Sequence, residues 1–480
     1  MLGMVKGTIS VKQKLIIFGT GATLMSLAVA AAVFPIADAL TLTLCFILSI
    51  TANDVAAKHA VSQSLNYRLL LLSIASVFWL LTMASLAEAT VAHGATAQSP
   101  VLTADDNKYF HWALHFHDGS VPLPKVEFPG YPAIILLIWK LTGVSLIWPL
   151  ALNYLATLLS IVLAAAIALR LLCDKFPGKV HILTGVASLL MATQFHWLYY
   201  GTRLLKEPLL YLSVSLVAYA LIPSSEHNSR LIKDAALLIL GAAIMAVMRT
   251  TWMYFILLVI FLAAFPRRWQ SDKAFFIITT IVVVAFFVFA SHFARNPASY
   301  SHAAIVNGGD VMAEQFINGK NQHIYQRLLG DYFYMPTWHK ALMLPITMAV
   351  QFFIPFPWVG AETVSFGTVF PRINFMWYAV GGVAIFYYLF LSWRKRFSLG
   401  SWALWPALSY VIIAFLTAGT VSRYVLPFAP IITVIATYVL MLYKDAAWKT
   451  AFKCWCIVFT ALVASVLVVC YLIQNGIIHI

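Results

Sequence analysis

Charge is scarce in this sequence: Asp, Glu, Lys and Arg make up only 10% of its 480 residues, against the roughly 25% of a soluble domain. With 62% hydrophobic residues, that shortage excludes a water-soluble globular enzyme and defines an integral membrane protein. Short alternating segments of the kind that build a membrane barrel are missing as well. Acids are scarcer than bases, 17 against 31, for a net charge of +14. Many of the basic residues fall in short loops between apolar runs, so they read as topology determinants, and no nucleic acid partner is expected. Cysteine is rare: Cys45, Cys173, Cys454, Cys456 and Cys470 lie in or beside apolar segments without metal or disulfide spacing, and behave as small hydrophobes. There is no trustworthy Gly-rich nucleotide loop, no low-complexity tract and no internal repeat of the secondary-transporter type.

What is present is a series of apolar runs of about 20 residues, the length that carries a helix across a bilayer. Spans are expected near residues 14–35, 37–52 (short), 68–90, 145–171, 181–200, 207–222, 231–248, 250–265, 274–293, 374–393, 400–418, 424–443 and 453–473. The fold class is therefore an all-α polytopic membrane protein with about thirteen transmembrane helices. The first run follows Lys6, Lys12 and Lys14 and is read as an uncleaved span, since a second begins almost at once. Basic loops at Arg170 with Lys175 and Lys179, at Arg230 with Lys233, at Arg267, Arg268 and Lys273, at Arg394–Arg396, and at Lys444 with Lys449 and Lys453 are placed in the cytoplasm. The alternate connections then face outward. Residues 341–362 would break this alternation if they crossed, so Pro345, Pro355 and Pro357 are taken to mark a bent surface or re-entrant helix. Four regions result: 1–67, an N-terminal hairpin with a cytoplasmic loop; 68–293, a transmembrane core with an outer loop at 91–130; 294–373, an outer loop and re-entrant segment; and 374–480, C-terminal spans.

The outer loop concentrates the chemistry. Asp105 and Asp106 precede Tyr109, and on a helix they point about 100° apart, so one can act as a base while the other anchors. Asp105 fits a helix N-cap equally well. Glu207 opens a span after Arg203 and Lys206, where an acid is favoured by the helix dipole but also lies at the same membrane face as Asp105. Arg249 and Arg423 sit at outward span ends, against the positive-inside tendency; they either snorkel to headgroups or offer a planar fork to phosphate. His111 and His115 are spaced i, i+4 without the Glu of a zinc-protease motif, so neither a metal nor another cofactor is expected, and a divalent ion lacks support. Trp112, Tyr131, Trp139, Trp148, Trp197, Tyr199 and Tyr200 are read as interface anchors.

Three motifs in order, Asp105-Asp106-x-x-Tyr109 with Pro129-Gly130-Tyr131-Pro132, Lys206-Glu207-Pro208-Leu209 and Ser422-Arg423-Tyr424-Val425-Leu426-Pro427, give a family resemblance. The chain resembles the polytopic GT-C glycosyltransferases, the group that includes protein O-mannosyltransferases and the lipid A aminoarabinose transferase. It departs from their pattern in placing the acidic loop after the third span and in carrying Asp-Asp where Asp-Glu is usual. The resemblance implies a GT-C-like bundle with outer-face loop helices. It also implies transfer of a sugar, with inversion, from a polyprenyl-phosphate donor to a glycan, lipid or protein acceptor. Asp105 would be the base, Asp106 and Glu207 would support the site, and Arg423, Arg249, Arg203 and Lys206 would hold the donor phosphate. Tyr109, His111, Lys125 and Tyr131 would contact substrate. The compact chain without large soluble appendages points to a bacterial inner membrane, with the site on the periplasmic or extracytoplasmic face; the endoplasmic reticulum is the alternative setting. A transporter or flippase of a lipid-linked anion, or an O-antigen-type polymerase or ligase, is the alternative.

Overall fold

In the computed structural model the chain is described over residues 11–61, 64–102, 104–120, 130–222, 229–248 and 429–442, with isolated residues besides. Among the described residues the structure is helical and forms no strand, apart from one isolated bridge between Thr96 and Ser99. The helices are α1 (Val11–Val33), α2 (Ile36–Ala60), α3 (Leu65–Ala89), α4 (Ala104–His117), α5 (Gly130–Thr142), α6 (Ile147–Leu172), α7 (Val180–Ala192), α8 (Phe195–Gly201), α9 (Glu207–Ala220), α10 (Ser229–Met248) and α11 (Ala429–Met441). Four of them, α1, α2, α3 and α6, are long and apolar enough to cross a membrane. The expected spans after residue 248 lie outside the described residues, apart from α11 and a few isolated positions.

Local chemistry explains most of the breaks. Pro35 cannot continue α1 and becomes the residue before α2. At the end of α4, Gly119 takes a left-handed φ of 71° while the Ser120 amide donates to His115 O at 3.0 Å, which closes the helix. α9 opens with Glu207 and a proline in its first turn, both suited to a helix start.

Two expectations need correcting. The second apolar segment is not short: α2 runs on to Ala60, because Asn53 is buried and Asp54 is paired with Arg68 of α3. The segment expected at 181–200 is two helices, α7 and α8, broken at Thr193 and Gln194. There the Thr193 amide still donates to Leu189 O at 2.9 Å, the Gln194 amide turns to Met191 O at 3.2 Å, and the carbonyl of the buried Gln194 accepts from Leu198 N to begin α8.

α6 is the axis of the bundle. It packs against α2, α7, α9 and α11, and its Ala164, Ala165, Ala166 and Ala168 are fully enclosed. Small side chains there let neighbouring backbones approach closely. α1 instead presents Ile16, Ile17, Phe18 and Leu24 outward, as a lipid-facing helix does. Glycine is required where α5 meets α10, because a Cβ on Gly130 would lie 1.9 Å from the Val247 carbonyl oxygen.

Polar side chains collect at the two ends of this bundle. At one end, Arg170 of α6 pairs with the buried Asp234 of α10 at 3.3 Å, donates to Tyr219 O at 3.2 Å and stacks 3.6 Å from the Tyr219 ring. At the other end lie Asn153 of α6 and Glu88 of α3. From Asn153 to Arg170 is roughly 25 Å of helix, and from Arg68 to Glu88 roughly 30 Å, at 1.5 Å per residue. Those lengths match a hydrocarbon core of about 30 Å.

Candidate active site

The end of the bundle marked by Glu88 and Asn153 gathers residues far apart in sequence. Arg203, in the turn between α8 and α9, is the hub. Its Nε lies 3.5 Å from Asp106 Oδ2, and its Nη1 lies 3.9 Å from Glu88 Oε2. Its Nε and Nη2 also donate to the Tyr199 hydroxyl at 3.2 and 3.1 Å. The guanidinium thus neutralises acids delivered by α3 and α4 while its own donors are turned to protein groups.

Asp105 and Asp106 both occupy the first turn of α4, where the helix dipole favours acids. The helix begins at Ala104, so Asp105 is a first-turn residue and the N-cap role open to it in the sequence is not the one it has. Their 100° separation has the expected effect: Asp106 is 4% exposed and Asp105 is half-buried. Burial pushes the Asp106 carboxyl up to about 7; Arg203 opposes this, whereas Asp105, Glu207 and Glu88 add to it. A carboxyl tuned near neutrality is able to take up and release a proton at working pH.

A second layer holds the turn in place. The two N–H groups of Asn153 are shared among the Tyr131 hydroxyl at 2.8 Å, Arg203 O at 2.7 Å and Leu205 O at 2.8 Å. Asn153 Oδ1 is buried and has no hydrogen-bond partner among the described residues. Tyr131 packs edge-on against Tyr109 at 5.2 Å, and Lys206 Nζ lies 5.7 Å from the Tyr109 ring. Both Asp106 and Glu207 are within electrostatic reach of the Tyr131 hydroxyl. Lys206 and Glu207 are themselves buried.

Of the residues singled out in the sequence, Asp105, Asp106, Arg203, Lys206, Glu207, Tyr109 and Tyr131 therefore share one end of the bundle. His111 does not join them, being exposed on α4 with its ring 6.5 Å from that of His115. Lys125, Arg249 and Arg423 lie outside the described residues. Among the described residues no three His, Cys, Asp or Glu side chains gather as a metal site.

Glu88 and Asn153 went unnoticed in the sequence, although a lone acid or amide inside an apolar run is itself a signal. Three of the aromatic residues read as interface anchors are not: Tyr131, Trp139 and Trp197 are at most 1% exposed, and Trp139 Nε1 donates to Ser145 O at 2.8 Å, so they are core rings. Tyr199 is an arginine ligand. No family model matches this chain, and no curated protein and no solved structure matches it.

Proposed function

We propose that this chain is a membrane glycosyltransferase of the GT-C kind, with a bundle of about thirteen spans. It would move a sugar from a polyprenyl-phosphate donor to a glycan, lipid or protein acceptor on the periplasmic face of a bacterial inner membrane. The observation that carries the proposal is the union, at one bundle end, of a half-buried Asp105, a buried Asp106 held beside Arg203, and Glu207 at the start of α9.

In this mechanism the acceptor hydroxyl oxygen attacks the anomeric carbon from the face opposite the phosphate. Asp105, the less enclosed carboxylate, takes the hydroxyl proton. The anomeric C–O bond breaks, and polyprenyl phosphate leaves with the bonding electrons. Asp106 and Glu88 fix Arg203, and Glu207 braces the same end. The described cluster has four carboxyls, Glu88, Asp105, Asp106 and Glu207, against two cations, Arg203 and Lys206. Stabilising the departing phosphate therefore requires further positive charge, the role proposed for Arg249 and Arg423.

The test is mass spectrometry of lipid-linked sugars and surface glycans from cells carrying the wild-type chain or Asp105→Asn. The proposal expects the variant to accumulate the polyprenyl-phosphate sugar and its glycan to lack one substituent, whose mass names the sugar. Identical profiles sink the catalytic assignment. A proton-coupled carrier of a lipid-linked anion is the second reading, favoured in one respect by the near-neutral Asp106 carboxyl. It predicts proton uptake by vesicles that depends on Asp106, with no new glycosidic bond.

A further inference from the structure

The end of the bundle opposite the acid cluster holds a cleft between α1, α2 and α3 that the proposed chemistry does not use. It is half-open, has a volume of about 180 Å³ and is lined by Leu15, Gly19, Ile50, Leu71, Leu72 and Ala75 on its apolar side. Its polar end is Asn53, Asp54 and Arg68. The volume is below the roughly 300–1,000 Å³ of pockets that enclose a whole small ligand, so the cleft has room for a headgroup while the rest of a lipid would lie along its open side.

Three features of the polar end define an occupant. Arg68 forks onto Asp54, its Nε donating to Oδ1 at 2.6 Å and its Nη2 to Oδ2, so the pair is neutral in sum yet displays both signs. Both partners stay partly open, with side-chain exposures of 21% and 39%. Asn53, only 3% exposed, carries an Oδ1 that is buried without a hydrogen-bond partner among the described residues, an acceptor in want of a donor. Depth fits as well: Ala75 lies seven residues beyond Arg68, so the apolar wall reaches roughly 10 Å inward from the charged end.

The geometry points to a binding site for a zwitterionic phospholipid whose headgroup carries a primary ammonium. Its phosphate faces Arg68, its ammonium donates to Asp54 and to Asn53 Oδ1, and the start of one acyl chain lies along Leu15, Ile50, Leu71 and Leu72. An anionic headgroup without an amine would meet Asp54 with like charge and leave Asn53 unanswered. A quaternary ammonium has no N–H to give. The site lies at the headgroup level of the leaflet opposite the acid cluster, and it stands whether or not the catalytic proposal does.

The experiment is native mass spectrometry of the purified full chain titrated with phosphatidylethanolamine, phosphatidylcholine and phosphatidylglycerol of one acyl composition. Wild type is expected to hold phosphatidylethanolamine about tenfold more tightly than phosphatidylcholine, the loss set by a charge-assisted hydrogen bond. Gly19→Leu is expected to bring phosphatidylethanolamine down to the phosphatidylcholine level, because a Cβ at Gly19 meets nothing within 4 Å and the larger side chain grows into the cleft. Leucine also favours the helix, so its thermal midpoint should not fall. Asn53→Leu, which removes the lone acceptor at near-constant volume, should likewise abolish the preference and serves if Gly19→Leu does not fold. Equal retention of the ethanolamine and choline lipids by wild type overturns the site. So does a preference for phosphatidylglycerol, displacement of phosphatidylethanolamine by inorganic phosphate, or full retention by a folded Gly19→Leu.

Discussion

Replacing Asp106 by asparagine should make the chain's stability less sensitive to pH, in a direction fixed by the structure. The carboxyl is pushed from its ordinary 3.8 to about 7, chiefly because it is buried. Between those two values the folded chain keeps a proton that the unfolded chain has released. Wild-type stability is therefore fullest below the unfolded value and declines as pH rises through the window, levelling off above about 7. At 1.36 kcal/mol per pH unit, the displacement from 3.8 to about 7 corresponds to roughly 4 kcal/mol, an upper bound once the site relaxes around the charge. Asparagine neither holds nor loses a proton there. The difference in unfolding free energy between variant and wild type should thus shift in the variant's favour between about pH 4 and about pH 8. Denaturant unfolding of the purified chain at several pH values within that range measures it. A difference that stays flat, or that moves against the variant as pH rises, would mean that Arg203 holds the carboxylate ionised and would refute the reasoning.

Four further outcomes are expected. Asp105→Asn should abolish sugar transfer while shifting the thermal midpoint little, since this side chain is only half-buried; transfer that survives in a glycan assay counts against it as the base. Gly130→Ala should lower stability by about 1–3 kcal/mol, because the new Cβ collides with the Val247 backbone; a denaturant midpoint equal to wild type would show that α5 and α10 part easily. Asn153→Ala should cost about 1–3 kcal/mol by stranding the Arg203 and Leu205 carbonyls, and should depress transfer together with stability. Asp234→Leu alone should cost about 3 kcal/mol by leaving Arg170 without its counter-ion, while Arg170→Met combined with Asp234→Leu should recover most of that loss in the same unfolding assay.

The long helices could be read in the sequence because an apolar run of membrane length has little alternative in lipid. Where that reading failed, the cause was polarity satisfied from elsewhere. Asn53 and Asp54 look like the end of a span, yet α2 continues because Arg68 of the next helix meets Asp54. The break at Thr193 and Gln194 carries no proline or glycine, so nothing in the local sequence announces it. The charged residues Asp106, Arg203 and Glu207 were visible as charges at the ends of apolar runs. Their assembly was not: Asp106 and Arg203 lie 97 positions apart, and no local pattern announces such a contact. The buried rings of Tyr131, Trp139 and Trp197 were hidden for a related reason, since an aromatic at a span end has the same composition whether it faces headgroups or packs inward.

The two polar ends of α6 give the protein a built-in gauge of bilayer thickness. Asn153 is tied to the α8–α9 turn and Arg170 to Asp234, so neither end can slide along its neighbours to follow a thicker or thinner membrane. Mismatch has to be taken up by tilt of the whole bundle or by the lipid itself, at a cost of fractions of a kcal/mol for each ångström. Lengthening the surrounding acyl chains is then a way to load the Arg203 turn mechanically without touching a residue near it.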